Sequence, residues 1–82
     1  MNLGSLVSVW TDPALGHLEK VVGFESIRLG VRTGVTFLDI GLRGIVVEVR
    51  RYSHGAREEM TRVFLTDGRM LWIEPDMLQE IQ

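Results

Sequence analysis

The residues of this 82-residue sequence that could support acid–base or metal chemistry are few and scattered. His17 and His54 lie far apart, and neither has a second ligand at the i+4 spacing that metal sites on helices use. Glu58-Glu59 and Asp76 lack the apolar neighbours that would bury a pair of carboxylates for catalysis. The chain has no cysteine, so thiolate ligands and disulfides are excluded. The sequence therefore predicts a protein that is not an enzyme and that needs no cofactor or metal.

A group of basic residues with one aromatic residue could contact nucleic acid. It consists of Arg50, Arg51, Tyr52 and Arg57. An aromatic ring among arginines can stack on a base while the arginines neutralise phosphates. However, Glu48 and the Glu58-Glu59 pair flank the cluster, and the formal net charge of −2 argues against a dedicated nucleic-acid binder. An ordinary solvated loop is the simpler interpretation, and a nucleic-acid or ribosome-associated binding module is the alternative function.

The strongest structural pattern lies between residues 60 and 73. Asp67-Gly68 separates two apolar runs, which is typical of a β-hairpin with a two-residue type I′ turn. That turn predicts that Leu65 opposes Met70 and that Phe64 opposes Leu71. One face of the hairpin then carries Val63, Leu65, Met70 and Trp72, with Trp72 as the anchor of the core. The other face carries Phe64, Leu71 and Ile73, which need cover from residues 12–42 or from another chain.

The first half of the chain has weaker signals. A strand pattern runs from Leu3 to Trp10 and ends at Thr11-Asp12-Pro13. Residues 13–22 are open between a short helix, which Asp12 and Pro13 could begin, and a strand, which Val21-Val22 favours. The alternation over 26–32 and 35–40 predicts a second hairpin, with its turn at Thr33-Gly34.

The second half continues with a third strand pattern and a short C-terminal segment. Residues 44–51 predict a strand whose inward side chains are Ile45, Val47 and Val49. A polar loop follows at 52–57. Beyond Ile73, residues 75–78 read as one turn of helix, and 79–81 as a short last strand.

This order of elements resembles an SH3-like barrel. More narrowly, Gly44–Arg50, Val63–Arg69 and Trp72–Leu78 resemble small SH3-like proteins of tailed bacteriophages, which share a Gly-Ile-Val-x-Glu-Val strand, an Asp-Gly turn and a Trp before a polar turn. The resemblance covers the C-terminal half and, loosely, Gly4–Val9; the stretch 11–42 departs from it. The resemblance implies an all-β fold, a small SH3-like barrel formed by one domain over 1–82. The stretch 12–42 is then an elongated first loop or arm, and its alternating pattern predicts that it forms an extra β-hairpin.

The apolar content of 45% is high for so short a chain, which favours a protein partner. The 26–41 hairpin could either wrap its own barrel or reach another chain. In the second case the predicted partner-binding residues are Ile27, Leu29, Val35, Phe37, Leu38, Ile40, Phe64 and Leu71.

The phage resemblance implies a structural protein of the virion, such as a decoration, head–tail or tail accessory protein that contacts other virion proteins or copies of itself. The same barrel plan is similar to ribosome-associated domains and to accessory subunits of photosynthetic electron-transfer complexes, so a docking subunit of a redox complex is a third hypothesis. No apolar run approaches the ~18 residues of a membrane span, and the N-terminus lacks an export signal. The expected location is the virion or, without the phage relationship, the cytoplasm, with no membrane partner.

Overall fold

The computed structural model describes residues 1–15, 20–52 and 58–81. In this part of the chain the strands are β1 (Leu6–Val9), β2 (Lys20–Arg28), β3 (Val31–Asp39), β4 (Arg43–Tyr52), β5 (Glu58–Leu65), β6 (Met70–Ile73) and β7 (Leu78–Glu80). Short 3₁₀ turns lie at Pro13–Leu15 and Pro75–Met77.

The strands form one antiparallel sheet in the order β3-β2-β6-β5-β4-β1-β7. This is the strand order of an SH3-like barrel, with β2 and β3 as the extra hairpin in the long first loop, so the predicted all-β fold class is confirmed. Residues 13–22 do not form one helix. The N–H of Ala14 donates to Asp12 Oδ1 at 2.9 Å in the 3₁₀ turn, and Val21-Val22 already belong to β2.

The hairpin between β5 and β6 has a wider loop than predicted. Leu65 N–H donates to the carbonyl of Arg69 at 2.8 Å, and Gly68 N–H donates to the carbonyl of Leu65 at 2.9 Å. Only Gly68 has a left-handed φ, +93°, so the type I′ prediction is wrong. The loop Thr66–Gly68 is a three-residue turn closed by a glycine bulge.

The side chain of Asp67 supports this wider loop. Its Oδ1 accepts from the N–H of Arg69 at 3.0 Å, and its Oδ2 accepts from the Arg69 guanidinium Nε at 2.7 Å. The side-chain hydrogen bond from Arg69 lowers the pKa of the Asp67 carboxyl below its ordinary value. The carboxylate therefore remains ionised at neutral pH, in the form that accepts both hydrogen bonds.

The extra loop residue shifts the register of the hairpin by one residue. Val63 therefore opposes Leu71, and Phe64 opposes Met70. Leu71 and Ile73 therefore enter the main core, where Leu71 is 3% exposed, and Met70 turns out to the surface. The predicted partner contact at Leu71 is wrong, since its own chain covers it. The buried residues of the main core are Val7, Val9, Val21, Leu38, Val46, Val63, Leu65, Leu71, Ile73 and Leu78.

Trp72 does not belong to the main core. It lies on the opposite face of β5 and β6, which we call the outer face, and packs there with Ile27 and Met60 in a second cluster. Phe24, half-buried, packs against this cluster and is the residue of β2 that pairs with Trp72. Part of the first loop thus folds back over its own barrel, and the predicted partner contact at Ile27, which is 7% exposed, is wrong.

The predicted inward residues of β4 are also corrected. Val46 pairs with Val63, but the next pair is Glu48 with Arg62, so Val47 is an extra, bulged residue. Before the bulge it is Val46 that is buried, while Ile45 and Val47 are exposed. Val49, after the bulge, is partly buried against the main core, as predicted.

The second hairpin turns at Leu29-Gly30 rather than at Thr33-Gly34. Arg28 pairs with Val31, and both turn residues have left-handed φ values, +50° and +78°. Thr33 instead lies inside β3, where its hydroxyl is 2.6 Å from the hydroxyl of Ser26. Leu38 of β3 is fully buried in the main core. The predicted partner contact at Leu38 is therefore wrong.

Thr61 is a weak point of the main core that mutation can test. Its side chain is fully buried, and its hydroxyl has no hydrogen-bond partner among the described residues. Thr61→Val removes this hydroxyl at nearly constant volume, so we expect stabilisation by about 1–2 kcal/mol and a melting temperature several degrees higher. The control is Thr61→Ser, which keeps the hydroxyl and loses a methyl group, and which should lower the melting temperature. A lower melting temperature in Thr61→Val would show that the hydroxyl is hydrogen-bonded.

Candidate functional site

A row of exposed apolar side chains crosses four strands on the outer face. Leu6 of β1 pairs with Ile45 of β4, Ile45 with Phe64 of β5, and Phe64 with Met70 of β6. Paired residues lie side by side on one face of a sheet. These four side chains are between 38% and 53% exposed, whereas the water-facing side of an antiparallel sheet usually carries polar residues. We call this set the cross-strand row.

The row continues into an apolar groove of about 400 Å³. The groove is lined by Leu6, Arg43, Gly44, Ile45, Phe64, Leu65, Thr66, Gly68 and Ile81. Gly44 is required at the strand contact, because a Cβ there would lie 2.5 Å from Val63 Cγ1 and 2.7 Å from the carbonyl oxygen of Phe64. Arg43, which is exposed, also lines the groove and brings a positive charge to it. The groove can therefore bind an apolar group that has an acidic or carbonyl neighbour.

A second exposed apolar region lies along β3. Val31, Val35 and Phe37 are 60–62% exposed, and within the described residues β3 is hydrogen-bonded to β2 alone. Its Arg32 is held by an ion pair with Glu74, at 2.7 Å between Nη1 and Oε1. Between Thr33 and Leu38 the strand has no charged residue. We call this region the β3 edge.

The turn that leads into β3 presents a fully exposed leucine. Leu29 is the only non-glycine residue with a left-handed φ among the described residues, and its side chain is fully in water. The left-handed conformation costs an ordinary side chain about 1–2 kcal/mol. No packing contact of Leu29 with its own core offsets this cost, since the side chain belongs to neither apolar cluster.

The predicted partner-binding residues thus divide into two groups. Leu29, Val35, Phe37, Ile40 and Phe64 are exposed and available to a partner. Ile27, Leu38 and Leu71 are buried within their own chain. Sequence reasoning missed Leu6, Ile45, Met70 and Val31, because their exposure depends on the loop length, the β4 bulge and the turn at Leu29-Gly30.

The two arginines of the alternative nucleic-acid site that the structure describes, Arg50 and Arg51, are engaged within the chain. Arg50 Nη2 donates to Glu48 Oε2 at 3.0 Å, and its guanidinium lies 4.6 Å from the ring centroid of Trp72. Arg51 lies 3.6 Å from Glu59 in an exposed ion pair. Tyr52 ends β4, and Arg57 lies outside the described residues, as do His17 and His54. The neighbouring carboxylates oppose a phosphate backbone at this place.

No group of three His, Asp or Glu side chains in the described ranges could hold a metal ion. Among the residues that the structure describes, no helix has the length and apolar character needed to cross a membrane. No protein-family model, curated protein or solved structure matches the chain.

Proposed function

We propose that this chain is a non-enzymatic assembly protein that docks onto another protein through the groove, and that it is a small virion component of a tailed phage. The observation that supports the docking role is the cross-strand row. It leaves four large apolar side chains in water side by side on strands that the main core holds in place. The phage assignment rests on the resemblance of Gly44–Arg50, Val63–Arg69 and Trp72–Leu78 to small phage proteins.

Burial of the row on a partner is favourable, at about 25 cal/mol for each Å² of apolar surface removed from water. A protein suits this surface better than a small molecule. Ligand pockets combine apolar walls with a few convergent polar groups, whereas Arg43 is the single charged residue among the described residues that line the groove. The row is also elongated across four strands, as a protein interface would be. The partner therefore presents an apolar segment with an acidic group near Arg43.

Two neighbouring residues of β4 give a matched test. Ile45 and Val47 are exposed to nearly the same extent, 42% and 41%, but only Ile45 lines the groove. In phage particles assembled with each variant and purified, we expect Ile45→Asp to reduce the amount of this chain by about tenfold or more, because a buried unpaired charge opposes docking. Val47→Asp should leave the amount unchanged. The measurement is quantitative mass spectrometry of the particles.

Two outcomes would contradict the proposal. Absence of the wild-type chain from purified particles would remove the virion assignment. Equal incorporation of the Ile45 and Val47 variants would remove the groove as the docking site. Circular dichroism of both purified variants must show the wild-type strand spectrum, so that a folding defect is not mistaken for lost docking.

A further inference from the structure

We propose that two copies of this chain pair through their β3 strands, antiparallel about a two-fold axis at Phe37, so that one sheet continues through the dimer. This inference builds on the proposed function, because it assigns a second copy to the β3 edge and leaves the groove for a different protein.

The β3 edge lacks the devices that usually block strand addition. An unpaired edge strand presents free N–H and C=O groups, and proteins commonly protect such edges with lysine, proline, inward charges or a bulge. From Val35 to Leu38, β3 has none of these. Its irregularity lies earlier, at Gly34, where φ is +72° and a Cβ would lie 2.7 Å from Glu25 Cβ. The regular segment available for pairing is therefore Val35–Asp39.

In an antiparallel pairing of this segment, Phe37 is the one residue that faces its own counterpart. With Phe37 at the axis, the two Phe37 rings face each other, and Val35 faces Asp39 of the second copy. A cross-strand aromatic pair is among the more favourable pairs in sheets. Asp39 is the only charged residue of the segment, and it lies 3.9 Å from Lys20 of its own chain. A parallel arrangement in the same place would instead set Asp39 against Asp39, so the charges favour the antiparallel one.

The apolar side chains at the proposed contact are few. Val22, Val35 and Phe37 face water beside the paired segment, at 38%, 60% and 62% exposure. Leu29 and Val31 precede the segment, and the pairing does not cover them. The contact is therefore smaller than the roughly 800 Å² that each partner buries in a standard interface, and we expect a weak dimer that depends on the main-chain hydrogen bonds of β3. The net charge of −2 per chain adds little repulsion between copies.

The pairing of Val35 with Asp39 gives opposite expectations for two substitutions at one position. Val35→Asp sets two carboxylates against each other and should raise the dimer dissociation constant about tenfold or more. Val35→Lys sets an ammonium against the carboxylate and should leave the dimer intact. The measurement is sedimentation equilibrium of the purified chain from low to high micromolar concentration. Loss of the dimer in both variants, or in neither, contradicts the register.

The axis itself has an independent test. Phe37→Lys and Phe37→Glu chains should each be monomeric, because each substitution faces its own copy, and an equimolar mixture should form the dimer again. A mixture that stays monomeric contradicts the placement of Phe37 at the axis. Phe37 is 62% exposed and lies outside the core, so we expect both variants to fold. Melting curves of each variant check this.

These results separate the two proposals. A wild-type chain that is monomeric at high micromolar concentration, or that forms larger rings, overturns the β3 pairing and leaves docking through the groove to be judged by the Ile45 and Val47 variants. A wild-type dimer that Ile45→Asp dissociates also overturns it, because the groove is then the contact between copies. A dimer that tolerates Ile45→Asp and responds to the Val35 variants as expected supports the pairing, whatever the particles contain.

Discussion

Replacing Leu38 by alanine should lower the free energy of unfolding by about 2–5 kcal/mol, the range measured for leucines in well-packed cores. Leu38 is fully buried in the main core, although it lies on an edge strand. Its Cδ1 packs closely against Gly23 of β2, where an added Cβ would lie 3.2 Å from it, so alanine would leave a cavity beside β2. For so small a domain, with a total stability of about 5–15 kcal/mol, this loss removes a large part of the folded population.

The adjacent residue is the matched control. Phe37 points to the other side of β3 and is 62% exposed, so Phe37→Ala should cost less than about 1 kcal/mol in the monomer. Urea unfolding of both variants, below the concentration at which the chain associates, measures the difference. If Leu38→Ala and Phe37→Ala lower the free energy of unfolding equally, β3 is not held against the core as the structure shows. The sequence hypothesis treated Phe37 and Leu38 as members of one partner surface, and a double substitution would therefore have confused folding with binding.

The sequence indicated the all-β fold and the main hairpin, but it misplaced the bounds of β2 and β3 and the faces that several side chains occupy. The Asp67-Gly68 signal located the main hairpin correctly, because glycine is needed at a left-handed position in either turn type. The number of loop residues was not determined, since Thr-Asp-Gly fits both a two-residue and a three-residue loop. A slip of one residue moves every side chain to the opposite face. That slip alone misplaced Met70, Leu71 and Trp72.

Two further errors have similar local causes. The run Ile45-Val46-Val47 is apolar throughout, so no alternation marks which residue is bulged. Leucine is unusual at a left-handed turn position, and Thr33-Gly34 was therefore preferred to Leu29-Gly30. The cross-strand row depends on the register of four strands at once, so tertiary structure was needed to see it. The apolar excess of the composition was the only sign of it in the sequence.

Trp72→Ala should be the most damaging single substitution on the outer face, with an expected loss of about 3–5 kcal/mol. Trp72 is 4% exposed, packs against Ile27 and Met60, and lies beneath the guanidinium groups of Arg50 and Arg62, at 4.6 and 5.8 Å from its ring centroid. Met70→Ala, on the same strand and face but 38% exposed, is the control and should cost far less. Unfolding in urea can be followed by circular dichroism and by the remaining tryptophan.

The position of Trp72 also predicts where the damage is largest. Phe24 and Trp72 form the register pair that joins β2 to β6, so the Trp72 ring lies where the β2–β3 hairpin meets the rest of the sheet. If Trp72→Ala stays folded in part, amide hydrogen exchange should accelerate in β2 and β3 more than in β1 and β7, which pair with each other away from the ring. Uniform acceleration would mean that the second cluster stabilises the whole barrel rather than the hairpin. A variant with near-normal melting and exchange would show that Ile27, Met60 and the arginines hold the hairpin without the ring.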